Sequence, residues 1–113
     1  MLPRSARLRN TRDFKRVYAR GKSYVHPMMV LHLRANSGSD RRIGFSVGKK
    51  LGDAVARNRV KRRLREAFRL ELDRIRGGVD VVVVGRKAAL TAPFAELRAV
   101  VNELLARAGC LKD

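Results

Sequence analysis

Apolar residues recur with two different periods along this chain, and the switches between them mark its elements. Asn10 can cap a helix, with Asp13 three positions on as the acid of a capping box. Phe14, Val17 and Tyr18 then share one face at i, i+3 and i+4, and Gly21 ends the run. Residues 24–35 alternate instead. Met29, Leu31 and Leu33 fill one face of a strand, and Met28, Val30, His32 and Arg34 the other. Asn36, Ser37, Gly38, Ser39 and Asp40 form a turn by composition. Residues 42–48 make a second strand with Ile43, Phe45 and Val47 on a core face. Its opposite face, Gly44, Ser46 and Gly48, is almost bare, the pattern of a strand against which something packs closely.

Asp53 is placed to cap the longest helix, expected to run to about Arg76 and to stop at Gly77 and Gly78. Its core stripe is Val60, Leu64, Ala67, Phe68 and Ile75. Residues 79–85 carry four valines in succession, Val81 to Val84, which predicts a strand covered on both faces, of the kind found inside parallel sheets. Thr91 and Pro93 open a last helix in which Phe94, Leu97, Val101, Leu104 and Leu105 keep helical spacing, with a stop near Gly109. There is no internal repeat and no low-complexity linker. The order helix–strand–strand–helix–strand–helix predicts one α/β sandwich domain over residues 1–113.

Charge changes the picture. The chain has 27 Lys and Arg against 10 Asp and Glu, a net +17, and residues 1–69 hold +16 of it. A small domain needs only roughly 2–8 net charges for solubility. So localised an excess is the footprint of a polyanion, and nucleic acid is the first candidate. Other classes fall away. The one cysteine, Cys110, allows no internal disulfide and no Cys-clustered zinc, and His26 and His32 lack an acidic partner between them. No apolar stretch approaches the ~20 residues of a membrane span. The Arg-rich N-terminus lacks the apolar core of a secretory signal, and its composition continues through Lys50, so it reads as part of the working protein in a reducing cytoplasm.

Two catalytic-looking matches fail on context. Gly44-Phe45-Ser46-Val47-Gly48 fits G-x-S-x-G, but a nucleophile elbow needs its acid and then its His downstream, and both histidines precede Ser46. The same glycines with Lys49 are one residue too close for a phosphate-binding P-loop, and Lys50 stands where a hydroxyl is needed.

The informative segment is residues 57–69, with seven basic side chains and one acidic. At about 100° per residue, Asn58, Lys61, Arg62, Arg65 and Arg69 form a stripe beside the apolar one, while Arg59 and Arg63 project elsewhere. Like charges at these spacings disfavour a helix by a few tenths of a kcal/mol per pair. Arg suits bidentate phosphate contacts and stacking on bases. The competing readings are a solvated basic helix or a targeting signal. Phe14 and Tyr18 on one helix face, with His32 on the less apolar strand face, could stack on single-stranded bases. They could equally be core. The bare Gly44, Ser46 and Gly48 face brings a cleft level with the core reading.

Phe45-Ser46-Val47-Gly48-Lys49-Lys50, then Ala54-Val55-Ala56-Arg57-Asn58-Arg59-Val60-Lys61-Arg62, then Leu64-Arg65-Glu66-Ala67-Phe68 resemble the protein subunit of bacterial ribonuclease P. The resemblance extends from Leu8 and Arg9 through Asp13, Phe14 and Gly21 to Arg86. Gly48 departs from it, standing where the family commonly has a small hydroxylated residue. His32 stands where Tyr is frequent.

The resemblance implies that a catalytic RNA subunit, using magnesium ions, removes the 5′ leader of precursor tRNA, and that the protein holds no tight cofactor of its own. It implies RNA-subunit contacts from Arg57, Asn58, Arg59, Lys61, Arg62 and Arg65, with Arg69, Lys49 and Lys50 beside them. It puts the single-stranded leader in a central cleft at Phe14, Tyr18 and His32, with Ser46 on the open strand face. One protein per RNA is expected, away from any membrane. The family fold has a left-handed βαβ crossover, which residue patterns would not select, since about 98% of such connections are right-handed. The rival functions are a structural RNA-binding protein such as a ribosomal one, and a helix-turn-helix DNA binder, which the flanking strands disfavour.

Overall fold

The computed structural model describes residues 2–112, so Met1 and Asp113, the ends of the expected domain, lie outside the described residues. Helix α1 (Thr11–Arg20) starts where expected: the Asn10 side chain accepts a hydrogen bond from the Arg12 backbone N–H at 2.9 Å. Asp13 does not complete a capping box. Its carboxylate lies instead 3.5 Å from the Arg42 guanidinium, a stronger partner than a solvated backbone N–H. Gly21 follows the helix, and only glycine fits there. A Cβ there would lie 2.5 Å from the Val17 carbonyl oxygen and 2.7 Å from that of Leu33.

Residues 24–35 are two strands and not one. Strand β1 (Lys22–Val25) pairs antiparallel with strand β2 (Met29–Ala35), and His26 and Met29 exchange backbone hydrogen bonds across the turn between them. Pro27 is the physical cause, because it cannot donate to a ladder and belongs in a turn. Strand β3 (Arg41–Val47) leads through a 3₁₀ turn, Lys49–Leu51, into helix α2 (Ala54–Glu71). Asp53 caps α2 as expected, accepting from the Ala56 N–H at 2.9 Å. The helix stops at Glu71, short of Arg76, and tightens into a 3₁₀ turn, Leu72–Arg74. The C-terminal residues compete for its backbone there: the Arg76 N–H donates to the Cys110 carbonyl and the Lys112 N–H to that of Arg74, both at 2.7 Å. Ile75 stays buried, but in extended backbone.

Strand β4 (Val79–Gly85) lies where the valine run put it. The last helical stretch is divided into α3 (Ala88–Thr91) and α4 (Phe94–Arg107), with Pro93 as the cap of α4. The α/β sandwich stands, with one strand and one short helix more than the residue pattern predicted.

The sheet order is β1-β2-β4-β3, with β4 antiparallel to β2 and parallel to β3. The valine strand is therefore internal, as expected, though parallel on one side only. Helix α2 connects the parallel pair. It packs on β3 and β4, with α4 against it, while α1 crosses β2 and β4 on the other face. The larger core joins Met29, Leu31, Ile43, Val81 and Val83 of the sheet to Leu64, Phe68, Leu97 and Leu104 of the helices. Among the described residues, the apolar cluster buried on the α1 face is small: Leu8, Val17 and Val82. One face of the sheet is thus covered by two helices and the other by one short helix, and the second face is where an open surface remains.

Candidate nucleic-acid interface

Strand register arranges the α1 face of the sheet into three rows. Arg34, Asp80 and Arg42 form the first. Ser23, His32, Val82 and Gly44 form the second, and Val25, Val30, Val84 and Ser46 the third. Helix α1 lies along the second row: Phe14 sits on Gly44, Val17 packs on Val82, and Tyr18 meets His32 edge to face with ring centroids 4.9 Å apart. The bare strand face is what admits Phe14, since a Cβ on Gly44 would lie 2.7 Å from Phe14 Cε1 and 2.9 Å from the Leu8 carbonyl oxygen.

Helical geometry decides what lies on either side of α1. With Val17 pointing at the sheet, a 100° step puts Asp13 on the side of the first row and Phe14 and Tyr18 on the side of the third. The two sides are chemically opposite. On the first, Asp80 is 2% exposed and accepts from Arg42 Nη2 at 2.8 Å and Nε at 3.0 Å and from Asn36 Nδ2 at 2.9 Å. The hydrogen bond to Asp80, reinforced by the charges of Asp80, Asp13 and Asp40, raises the Arg42 guanidinium above its ordinary value despite partial burial. The floor of the third row is left partly open. Val25 is 57% exposed, Val30, Val84 and Ser46 are half-buried, and Tyr18 on the wall is 44% exposed. The result is an open trough with an apolar floor and an aromatic wall. Burial holds the His32 imidazole below its ordinary value, so at neutral pH it is an uncharged flat partner for Tyr18.

The second surface is on α2. Asn58, Arg59, Arg62, Arg65 and Arg69 are exposed, and Arg57 and Lys61 half-buried. Arg69 is engaged by Glu66, at 2.6 and 3.0 Å, which lowers the Glu66 carboxyl and raises the Arg69 guanidinium. An exposed pair of this kind adds little stability. Arg63 is not a surface residue of the stripe: it donates to the backbone carbonyls of Ala89, Leu90 and Ala92.

The two constellations, separate along the chain, meet at two places. Lys49 and Lys50 are exposed and follow the end of β3, beside the third row, in the turn from which α2 starts. At the edge of β3, Arg65 of α2 and Phe14 of α1 line one cleft of about 440 Å³ together with Arg7, Arg9 and Gly44. The N-terminal segment forms its outer wall, held by the Leu8 N–H on the Ile43 carbonyl at 3.0 Å. The residue pattern missed Val25, Val30 and Val84 as trough floor and Arg7 and Arg9 as cleft wall. The alternation of β2 carried the signal for Val30; pairing of the strands, which supplies the rest, has none.

Two further buried groups, Glu71 and Cys110, are occupied or inert. Glu71, 2% exposed, is held by Arg74 at 2.8 Å and Arg98 at 3.1 Å. Burial pushes the Cys110 thiol up to about 11, so it stays protonated. Among the described residues, no three His, Cys, Asp or Glu side chains gather as metal ligands, and no helix is long and apolar enough to cross a membrane.

Comparison with known proteins follows the same lines. The ribonuclease P family pattern matches residues 2–109. The chain is 48% identical over 112 residues to the ribonuclease P protein component of Symbiobacterium thermophilum, covering 98% of this chain and 97% of that one. It is 43% identical to that of Herpetosiphon aurantiacus over 112 residues, covering 99% and 91%. Its fold superposes on the RNase P protein of Staphylococcus aureus with a TM-score of 0.85 at 30% identity, over 96% of this chain and all of that one. For the Thermotoga maritima protein the TM-score is 0.77 at 36% identity, over 87% and 94%.

Proposed function

The chain belongs to the ribonuclease P protein family, and from that premise we propose that it binds a catalytic RNA through α2 and the 5′ leader of precursor tRNA in the trough beside α1. The cleavage itself is assigned to the RNA with its magnesium ions, one protein serving each RNA in the cytoplasm. The observation that carries this reading is the trough. Its wall is Phe14 and Tyr18, its floor is open for the length of a strand row, and exposed lysines stand at its end. A single strand offers flat bases and a charged backbone, and it can use all three features. A duplex hides its base faces and fits only the basic helix. The protein's own buried carboxylates are engaged by arginines, which supports leaving the chemistry to the RNA.

The test is reconstitution. With ribonuclease P RNA and precursor tRNA at physiological magnesium, the protein is expected to support 5′ cleavage, while rigorously RNA-free protein leaves the substrate intact. Cleavage by the RNA-free sample, or no stimulation of the RNA, overturns the reading. Affinity for the RNA subunit should also fall steeply with salt, by roughly 0.7–0.9 log units per phosphate contact per log unit of salt. Replacing Arg62 and Arg65 by Ala should flatten that dependence by about 1.4–1.8 if each neutralises one phosphate. A folded double variant with an unchanged slope puts the interface elsewhere.

A further inference from the structure

Along the basic face of α2 runs a groove that charge alone does not explain. Val55, Arg59, Arg62, Arg63 and Glu66 line it from α2, and Phe94, the first residue of α4, closes it. Two apolar side chains stand in solvent here, Val55 at 75% and Phe94 at 36% exposure. Helical spacing assigned Phe94 to the core stripe of the last helix. The structure corrects this: Leu97, Val101, Leu104 and Leu105 fill the stripe, while Phe94 turns toward Arg59 and Arg62.

Arg63 explains how the ring is held there. It donates to the carbonyls of Ala89 at 3.0 Å and Leu90 at 2.7 Å, and to that of Ala92. These carbonyls end α3 and lack helical partners of their own. The guanidinium therefore fastens the turn before α4 onto α2, and its donors are directed at backbone instead of phosphate. One phenyl ring is fixed beside two exposed guanidinium groups, and the groove's one acid, Glu66, is already engaged by Arg69.

We propose that this groove receives one unpaired base of the RNA held by α2, stacked on Phe94, with Arg59 and Arg62 on the phosphates beside it. The inference rests on the reading that α2 binds the RNA subunit. A flat apolar face flanked by cations is the combination that single-stranded bases use. Duplex RNA presents no free base face, so the occupant is a bulged or looped nucleotide. A second copy of this chain is a poor occupant, since a two-fold contact here would bring like-charged arginines together on two molecules of net +17.

The test measures binding of labelled ribonuclease P RNA by the full-length protein and its Phe94→Ala, Phe94→Leu and Phe94→Tyr variants, with Lys61→Ala/Arg65→Ala as a second arm. Phe94→Ala should weaken binding about 5- to 150-fold. The salt dependence should not change, because no charge is lost. Phe94→Tyr should bind as the parent does. Phe94→Leu keeps apolar volume without a flat face, so it should lose affinity at an unchanged melting temperature. Parent-like affinity of Phe94→Leu or Phe94→Ala, while the Lys61/Arg65 pair weakens binding, overturns the groove and leaves the α2 reading standing. Parent-like affinity of the Lys61/Arg65 pair as well overturns both. A parent that sediments as a dimer, split by Phe94→Ala, also overturns the proposal, since the patch then covers a second copy.

Discussion

Replacing Arg42 by Ala is expected to destabilise the protein by about 3–5 kcal/mol, the usual penalty for stranding one member of a buried ion pair. The loss falls on Asp80, not on Arg42. The Asp80 side chain is 3% exposed and that of Arg42 33%, so the arginine can return to water and the carboxylate cannot. Removing the guanidinium leaves Asp80 with Asn36 as its remaining side-chain donor and frees Asp13 of α1 from its cation. For a chain of 113 residues this corresponds to a fall in melting temperature on the order of 10–25 °C. Urea unfolding of the variant checks it, and the double variant Arg42→Met/Asp80→Leu separates the causes. If the stranded charge is responsible, removing both partners should restore most of the stability. A single variant within about 1 kcal/mol of the parent would sink the account.

The second large effect concerns the trough. Tyr18→Ala should weaken binding of precursor tRNA with a leader of several nucleotides by ~1–3 kcal/mol, roughly 5- to 150-fold, and leave mature tRNA unaffected. Tyr18 is 44% exposed and meets His32 in a T-shaped contact, so it can be removed with little loss of stability. Phe14 is a less clean probe. It belongs both to the trough wall and to the small cluster with Leu8, Val17 and Val82. A fully buried Phe loses about 3–5 kcal/mol on truncation, and this half-buried ring should lose about 2 kcal/mol. Phe14→Ala is therefore expected to lower both the melting temperature and the leader-dependent affinity. Binding assays with long-leader and leaderless tRNA, read beside thermal melts, distinguish the outcomes. Equal weakening of both tRNAs by Tyr18→Ala would remove the trough as the leader site.

Much of this molecule is local and so can be read along the chain. The caps at Asn10 and Asp53 work over two or three residues, the alternation of β3 over seven, and the valine run of β4 announces a strand covered on both sides. The misreadings occur where two segments far apart in sequence act on each other. Asp13 answers Arg42 and not its own cap, because a buried carboxylate network waits there. The end of α2 is taken from the helix by backbone bonds to residues 110 and 112. Pro27 is the exception, since it marks the turn between β1 and β2 by its own chemistry.

The site divides in the same way. Residue types and their spacing determined that a basic stripe runs along α2, that Phe14 and Tyr18 share a helix face, and that one strand face, Gly44, Ser46 and Gly48, is almost bare. Those properties follow from periods of 3.6 and 2, which any chain in helix or strand must obey. Only the tertiary structure decided what each feature faces. Register across four strands put Val25, Val30, Val84 and Ser46 in one uncovered row and turned the aromatic edge of α1 toward it. The same packing turned Arg63 onto the carbonyls of Ala89 and Leu90 and set Phe94 beside Arg59 and Arg62. The physical reason is that strand pairing and helix docking are set by the burial of a whole face at once. A side chain's neighbours across the sheet are chosen by that sum, and no stretch of sequence a few residues long contains it.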